Sequence, residues 1–509
     1  MEKFPISFTS IATLAVLGVS SAIYVSAKRR GHALKKLNPS LTVHSVFISP
    51  SSLLTLLNIL PSWLPIKYPK NWLFNRKFDT FADAESGIVA VCDSKNVHVY
   101  VADPELCREM MMVRYKEFLK PVHVYRVLDI YGKNIVTTEG EEWRKHRKIA
   151  APTFSEHNNA LVHEASLQIA HDMFQSWESK LVIGGNGAKG TLVNVSSEMM
   201  EFALSVISSA AFGIDIPWHE VEDPTALKNG HKMSFKQALE IVVARLHFWR
   251  LGQGLLFEKY LDGIIDDEEV HERPKNLLQM LIKAVRDEKV AGAPVLTKSE
   301  LKGNSFIFLL AGHETTAGTL TFALGLLALH RDKQEALYND VKAILGDTDV
   351  PKYSDFSKLK YAMAVLNESL RLFPPVIAIP KFTATETLNL GPFVFPPRTN
   401  ITIATPGLHF NPKAWGSDAT VFRPERFLED NDEAGKGTSR LGFAPFSEGP
   451  RGCLGKKFAQ VEFIALLTLI SLKYRISVPD GVDIEHLLDT TNGITLKPLK
   501  PIHLLFSPR

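Results

Sequence analysis

The residues best placed to do chemistry lie near the carboxyl end, in Phe446-Ser447-Glu448-Gly449-Pro450-Arg451-Gly452-Cys453-Leu454-Gly455. A cysteine set among glycines can stand on a tight loop and present its sulfur to a flat partner, because glycine supplies backbone freedom and close approach. A sulfur ligand to a porphyrin iron needs such a loop. It also needs backbone N–H groups and the amino end of a following helix to favour the anion. Arg451 offers a fork of donors for a propionate carboxylate, and Phe446 an apolar cover that keeps water from the sulfur. A thiolate so placed pushes electron density toward iron and favours O–O cleavage. Cys453 is therefore the candidate axial ligand.

Three further constellations accompany it. Ala311-Gly312-His313-Glu314-Thr315-Thr316 lies inside a long apolar stretch. Thr315 can bond a carbonyl one helical turn back and open the helix locally, while Gly312 lets oxygen and a ring approach. Glu314 and Thr315 together can relay protons, and an acid in such a helix is not explained by solvation. Glu368 and Arg371, three apart, share a helix face; Leu372-Phe373-Pro374-Pro375 follows, and farther on Phe422-Arg423-Pro424-Glu425-Arg426-Phe427. In Trp143-Arg144-Lys145-His146-Arg147, Trp143 and Arg147 are one turn apart and can both reach a propionate.

The cysteine loop fills every fixed position of F-x-x-G-x-R-x-C-x-G, the haem signature of the cytochromes P-450, and the chain resembles that family. The motifs run in the family's order from Trp143 to Phe458. The resemblance implies a haem-thiolate monooxygenase that inserts one atom of O2 into a substrate. Its cofactor would be haem b (iron protoporphyrin IX), bound by Cys453, Arg451, Phe446, Trp143, Arg147 and Gly312. Thr315 and Glu314 would be catalytic, and Glu368, Arg371 and Arg426 a buried cluster bracing the proximal side. One position departs from a common pattern. Ten residues after Arg371, where many members place Arg or His, stands Lys381, a point charge rather than a fork, and its contact with a propionate stays open. His409 reads as a packing and hydrogen-bonding residue.

The family's substrate-lining segments correspond to residues 120–136, to the helix around Phe308 and Ala311, and to Val376, Ile377 and Ile379. The last two segments are almost wholly apolar, so a hydrophobic small molecule is expected. The overall flavour resembles fungal membrane-bound members of secondary metabolism or xenobiotic clearance. A terpenoid is the expected substrate, with fatty-acid or alkyl-aromatic (xenobiotic) hydroxylation as the alternative. A reductase-independent haem-thiolate isomerase or a haem carrier without turnover would not need the Glu314–Thr315 pair. The resemblance also implies an NADPH-dependent flavoprotein reductase as electron donor. Arg144, Lys145, Lys148, Lys456 and Lys457 could form a basic face that steers it, or an ordinary solvated surface.

These residues require a large, mainly helical scaffold. The chain has 509 residues, 45% hydrophobic and 22% charged, ample for a large core. The net charge of +3 is too small to argue for nucleic acid. The three cysteines, Cys92, Cys107 and Cys453, show no metal-ligand spacing and no disulfide framework. No phosphate loop is present. Gly252 and Gly254 mimic part of a dinucleotide fingerprint that Phe257 breaks, and Ala317 occupies the place of the second His of a zinc-protease helix. Helical periodicity marks 158–177 and 301–330; strand-like pieces occur at 97–101, 382–388 and 400–404. Residues 183–190 and 429–439 read as loops. The expected fold is mainly α with a smaller β-rich part, the cytochrome P-450 fold, preceded by an amino-terminal transmembrane helix.

Residues 6–27 form that apolar run, long enough to span a bilayer, and Lys28-Arg29-Arg30 follows at once. The basic cluster predicts a single-pass anchor in the endoplasmic reticulum membrane with the catalytic part in the cytosol. The division expected is an anchor with basic stop at 1–30, a membrane-proximal linker at 31–70 and a haem-binding domain at 71–509. A second apolar stretch, 46–64, is interrupted by Pro50 and Pro61. It reads equally as a headgroup-level segment or as buried core.

Overall fold

The computed structural model describes residues 8–46, 68–69, 71–84, 86–180, 182–183, 189–216, 218, 237–238, 254–267, 276–290, 292, 295–383, 386–428 and 442–509. Its longer helices are α1 (Phe8–Leu37), α2 (Gly140–Ala150), α3 (Glu156–Ser179), α4 (Val195–Phe212), α5 (Gly254–Asp267), α6 (Leu277–Val290), α7 (Lys298–Leu329), α8 (Arg331–Leu345), α9 (Lys360–Leu372) and α10 (Lys456–Lys473). The strands are β1 (Thr42–Ser45), β2 (Ile88–Cys92), β3 (Val97–Val101), β4 (Phe118–Leu119), β5 (Val182–Ile183), β6 (Lys189–Asn194) and β7 (Ala378–Thr383). They continue with β8 (Leu388–Leu390), β9 (Phe393–Phe395), β10 (Asn400–Ala404), β11 (Tyr474–Ser477), β12 (Thr490–Asn492), β13 (Leu496–Pro498) and β14 (His503–Pro508). The chain divides into two units.

The first unit comprises Met1–Pro121, Val376–Val421 and Asn431–Gly452. It is built on a six-stranded sheet of order β1-β2-β3-β10-β7-β4. The pairing is mixed, since β1 runs parallel to β2 and β3 parallel to β10. β2 is an unbroken apolar run and is buried along its whole length; β3 is buried as well, and its His98 is met there by the Asp93 carboxylate at 3.1 Å. Ile88, Val99, Ile401 and Leu408 lie at the centre of this core. The carboxyl half of α1 docks on it: Ala27 and Leu34 are buried, and Ser45 Oγ donates to the Ala27 carbonyl at 3.3 Å. Lys28, Arg29 and Arg30 therefore lie within a docked helix rather than at the end of a free one. Among the described residues no helix is long and apolar enough to cross a membrane. Of the expected span, residues 6 and 7 lie outside the described residues, and of 8–20 only the backbone is described. Most of the stretch 46–64 and the loop expected at 429–439 also lie outside them.

The second unit comprises Val122–Pro375, Phe422–Asp430 and Cys453–Arg509. It holds α2 to α10, with a sheet of order β11-β14-β6-β5 and the hairpin β12–β13. At its centre is α7, 32 residues long and started by a reciprocal cap: Thr297 Oγ1 accepts from the Glu300 N–H, and the Glu300 carboxylate accepts from the Thr297 N–H. α7 packs on α4, α5, α8 and α9, and few of its residues remain open. The loop before α2 presses on its first half. Gly132 and Gly303 meet there with no room for a Cβ on either. Ser299 Oγ donates to the Tyr131 carbonyl at 3.0 Å, and the Tyr131 and Phe306 rings meet edge to face. The mainly helical chain with a smaller sheet part is the fold expected from the sequence.

Candidate active site

In the sheet unit the chain reaches Gly452 through a strained turn. Ser447 and Gly449 both take positive φ, 55° and 68°. Gly449 has to be glycine, since a Cβ would fall 2.5 Å from the Met111 carbonyl oxygen. Met111 sits on a π-helical turn, Glu109–Val113, and its Sδ accepts from Ser447 Oγ at 3.5 Å. Fully buried His409 accepts from the Ala444 N–H at 3.1 Å, which makes it a hydrogen-bonding residue. Phe446 and Arg451 belong to this segment. Lys381 is buried on β7. Of the expected lining residues here, Val376 is exposed and Ile379 packs partly against the sheet core. Ile377 is buried, its carbonyl bonded to the Thr405 N–H at 3.1 Å.

Cys453 opens the last run of the helical unit, three residues before α10. The Gly455 N–H bonds its sulfur, and the charges of Arg147 and Lys456 favour the anion, as the sequence suggests. Burial outweighs them and raises the thiol above its ordinary value. Iron replaces the proton on a ligating thiol, so the raised value belongs to the bare protein. Although protein surrounds this sulfur closely enough for burial to dominate it, Cys453 is exposed, as a group in a cavity wall would be. Trp143 is buried on α2, and burial lowers the half-buried Arg147 guanidinium, with the Cys453 sulfur acting against that shift.

The middle of α7 shows a second opening. Ala311 is exposed and Gly312 and Thr315 are half-buried, while Phe306 to Leu310, His313, Glu314 and Thr316 are buried. Thr315 Oγ1 donates to the Ala311 carbonyl at 2.8 Å. The expected opening of the helix does not accompany this bond: α7 is continuous, because the hydroxyl adds a bond to that carbonyl without displacing the helical one. A side chain at Gly312 would lie 2.6 Å from Ile207 Cδ1, so its missing Cβ makes room for α4. Phe308 packs edge-on against Phe154, centroids 5.4 Å apart. A thiol and an alanine left open within a helical interior fit a large apolar cofactor.

Glu368 is wholly buried and makes a dense polar cluster. Its Oε1 accepts from Arg371 Nη2 at 2.7 Å, from Arg426 Nε at 3.1 Å and from the Arg423 N–H at 2.9 Å. Its Oε2 accepts from Arg371 Nε at 2.7 Å. Removing one partner of such a group strands a buried charge, a loss of about 3–5 kcal/mol.

Several polar residues escape sequence reasoning. Fully buried Asn304 donates to His146 Nδ1 at 2.8 Å and to the Glu300 carbonyl at 2.7 Å, and accepts from the Ile135 N–H at 3.0 Å. It thereby ties α7, α2 and the loop before α2 together. Lys145 Nζ donates to Glu300 Oε1 at 2.6 Å. Lys497 on β13 forms an ion pair with Glu314. Glu462 on α10 is buried with neither oxygen bonded, and burial pushes its carboxyl well above the carboxylate range. Most of the expected basic face is neutralised within the chain. Arg144 pairs with Glu141, Lys145 with Glu300 and Lys148 with Glu288, and Lys457 lies over the Phe356 ring.

The family model described as Cytochrome P-450 matches residues 63–505. Cytochrome P-450 monooxygenase 124 of Postia placenta is 36% identical over 474 residues, covering 84% of this chain and 87% of that protein. The bifunctional cytochrome P-450/NADPH–P-450 reductase 1 of Bacillus subtilis is 31% identical over 373 residues, covering 71% of this chain and 33% of that one. The crystal structure of the cytochrome P-450DA heme domain matches with a TM-score of 0.72 at 22% identity, covering 86% of this chain and 92% of that chain. That likeness shows the fold.

The buried titratable groups give the protein a characteristic pH response. Burial lowers His146, His163 and His313 from the ordinary imidazole range. Each is neutral when folded and takes up a proton more readily when unfolded. Stability is thus fully present above the unfolded value, near about pH 6.5, and falls toward the folded one by up to about 1.4 kcal/mol per pH unit for each histidine. Glu462 is shifted the other way and offsets about one of them in that window. Urea titrations from about pH 7 to about pH 5 should show a net loss. His163→Gln should flatten the profile and Glu462→Gln should steepen it; effects of opposite sign would refute these assignments.

Proposed function

The chain belongs to the cytochrome P-450 family and is a haem-dependent monooxygenase, and from that premise we propose that Cys453 holds the iron and that the substrate is a terpenoid of secondary metabolism. The observation that carries the assignment of Cys453 is its open thiol within the helical unit, on a chain that reaches it through the turn at Ser447 and Gly449. Haem, when bound, supplies the iron at which O2 is activated. Arg451, Arg147 and Trp143 are the residues that would hold its carboxylates, with Lys381 as a further candidate, and Phe446 would supply apolar cover. Glu368, Arg371 and Arg426 fix α9 and the segment at Arg426 as a rigid support.

Protons pass along the chain's own side chains. Glu314 gives a proton to Thr315 Oγ1, and the proton Thr315 already carried moves on toward the site where oxygen is consumed. Thr315 is poised for this, half-buried with its hydroxyl oriented by the Ala311 carbonyl. Gly312 keeps that turn of α7 close against α4. Ala311 on α7 is exposed, and in the sheet unit so is Val376; that each is an open apolar side chain supports a hydrophobic substrate. Phe308, Ile377 and Ile379 are the further residues proposed to line the substrate.

Electrons come from an NADPH-dependent flavoprotein reductase. The sequence contains no credible nicotinamide or flavin fingerprint, and a relative whose own name joins the two activities supports the pairing. The chain is assigned to the endoplasmic reticulum membrane as a single-pass protein with its catalytic part in the cytosol. The support is the apolar run 6–27 and the basic cluster after it.

Three measurements test the reading. The reduced, carbon monoxide-bound protein should show the red-shifted absorption band of a thiolate-ligated haem, and Cys453→Ala should lose it; a haem-loaded parent without the band would end the assignment of Cys453. With purified reductase and NADPH, a panel of terpenoids, fatty acids and alkyl-aromatics should give oxygenated products from the terpenoids; turnover confined to the other classes would overturn the substrate proposal. Carbonate washing of microsomes should leave the full chain in the membrane pellet, and its release would show that residues 6–27 do not anchor it.

A further inference from the structure

The proton route proposed above begins at Glu314, a buried residue that must be refilled from solvent. Its side chain is only 5% exposed, and its Oε1 is paired with the Lys497 ammonium, whose side chain is 42% exposed. The pair therefore runs from the interior of α7 outward to water. Lys497 is held in place by its strand. In the hairpin, Thr491 on β12 faces Lys497 on β13, and the Leu496 N–H donates to the Pro375 carbonyl at 2.9 Å. β13 packs along α7, where a Cβ at Gly318, one turn beyond Glu314, would lie 3.6 Å from the Leu496 carbonyl oxygen. The neighbouring His313 is committed elsewhere, its Nδ1 bonded to the Leu309 carbonyl at 2.9 Å.

We propose that Lys497 is a positioning residue for proton delivery: it parks the Glu314 carboxylate at the solvent side of α7 between turnovers and releases it on protonation. The inference rests on the Glu314–Thr315 relay. A carboxylate taken out of water needs a counter-charge, and Lys497 supplies it. Lys497 hands one ammonium proton to Glu314 and takes another from a hydronium at its exposed end, which leaves as water. The neutral acid no longer holds the ammonium, which turns fully into the solvent it already touches. Glu314 is then free to rotate toward Thr315 and hand the proton to Oγ1. Its restored negative charge draws it back to Lys497. No electrons change hands in these steps, and the chain ends as it began.

The test compares the haem-loaded parent with K497M, K497R, E314Q and the double variant E314Q/K497M, each with the reductase. Product formed per NADPH, hydrogen peroxide released and the solvent deuterium isotope effect are read together, with urea stability as a readout independent of turnover. K497M should lower product per NADPH several-fold, raise peroxide and enlarge the isotope effect, while K497R keeps most of the parent's coupling. In the E314Q background, K497M should add nothing to either coupling or stability. A K497M protein that is less stable but fully coupled would reduce Lys497 to a structural counter-charge and overturn the proposal. So would a K497M effect that adds in full to that of E314Q. If E314Q itself couples normally, the relay reading falls, while the assignment of Cys453 stands. Should K497M fail to load haem, K497Q provides the same comparison.

Discussion

A helix buried on nearly every side has no solvent to satisfy the polar groups its chemistry requires, and α7 meets that constraint group by group. An unpaired polar atom in such a place costs about 1–3 kcal/mol, and a charge more. Glu300 is satisfied by the cap at Thr297 and by Lys145, Asn304 by three separate partners, and Glu314 by Lys497. Thr315 and Thr319 each turn the hydroxyl back onto a carbonyl of the helix, both at 2.8 Å. Lys145 and His146 come from α2, Lys497 from β13 and Ile135 from the loop before α2, so satisfying α7 also fixes where those three elements must lie.

The same requirement organises the support beneath α9. Glu368 and Arg371 are fully buried, and neither can be solvated there. Two guanidiniums and a backbone N–H converge on one carboxylate, which sets the path of the chain at Arg423 and Arg426. Nearby, Glu425 is met by Tyr361 at 2.7 Å and by Lys333 at 3.1 Å, extending the network to α8. These contacts do no chemistry. They make the end of α9 rigid, and rigid support matters because a catalytic group displaced by about 1 Å can lose about two orders of magnitude in rate.

What could be seen in the sequence follows from chain distance. The cysteine loop, the Glu314–Thr315 pair and Glu368 with Arg371 are each compact in the chain, so residue type and spacing reveal them. The strands β3 and β10 stand where alternating and β-branched residues put them, at 97–101 and 400–404. β7 begins earlier than its pattern suggests, at Ala378, because Pro380 lies within it and proline argues against a strand. The sheet tolerates it opposite Thr402 of β10. Asn304 did leave a signal, an amide in an apolar run that would be costly unless bonded, although its partners His146 and Ile135 are far off in the chain. Lys497 left none, since a lysine in a short polar hairpin looks like any solvated residue.

Pairing within the chain also changes how its surface acts at a distance. Read as residue types, Arg144, Lys145, Lys148 and Lys457 suggest a face of concentrated positive charge. In the structure each sits against an acid or an aromatic ring, with Glu300 and Glu288 at 2.6 and 2.8 Å from their lysines. A close ion pair presents a dipole to an approaching partner, and its field decays faster than that of a free charge. At physiological ionic strength, screening over about 8 Å removes most of what remains. Long-range steering from Arg144, Lys145 and Lys148 is therefore weak, whereas Lys457, over an uncharged ring, keeps its charge. A partner that docks beside these three pairs gains its hold there from contacts made at short range, where the shape of the surface decides the fit.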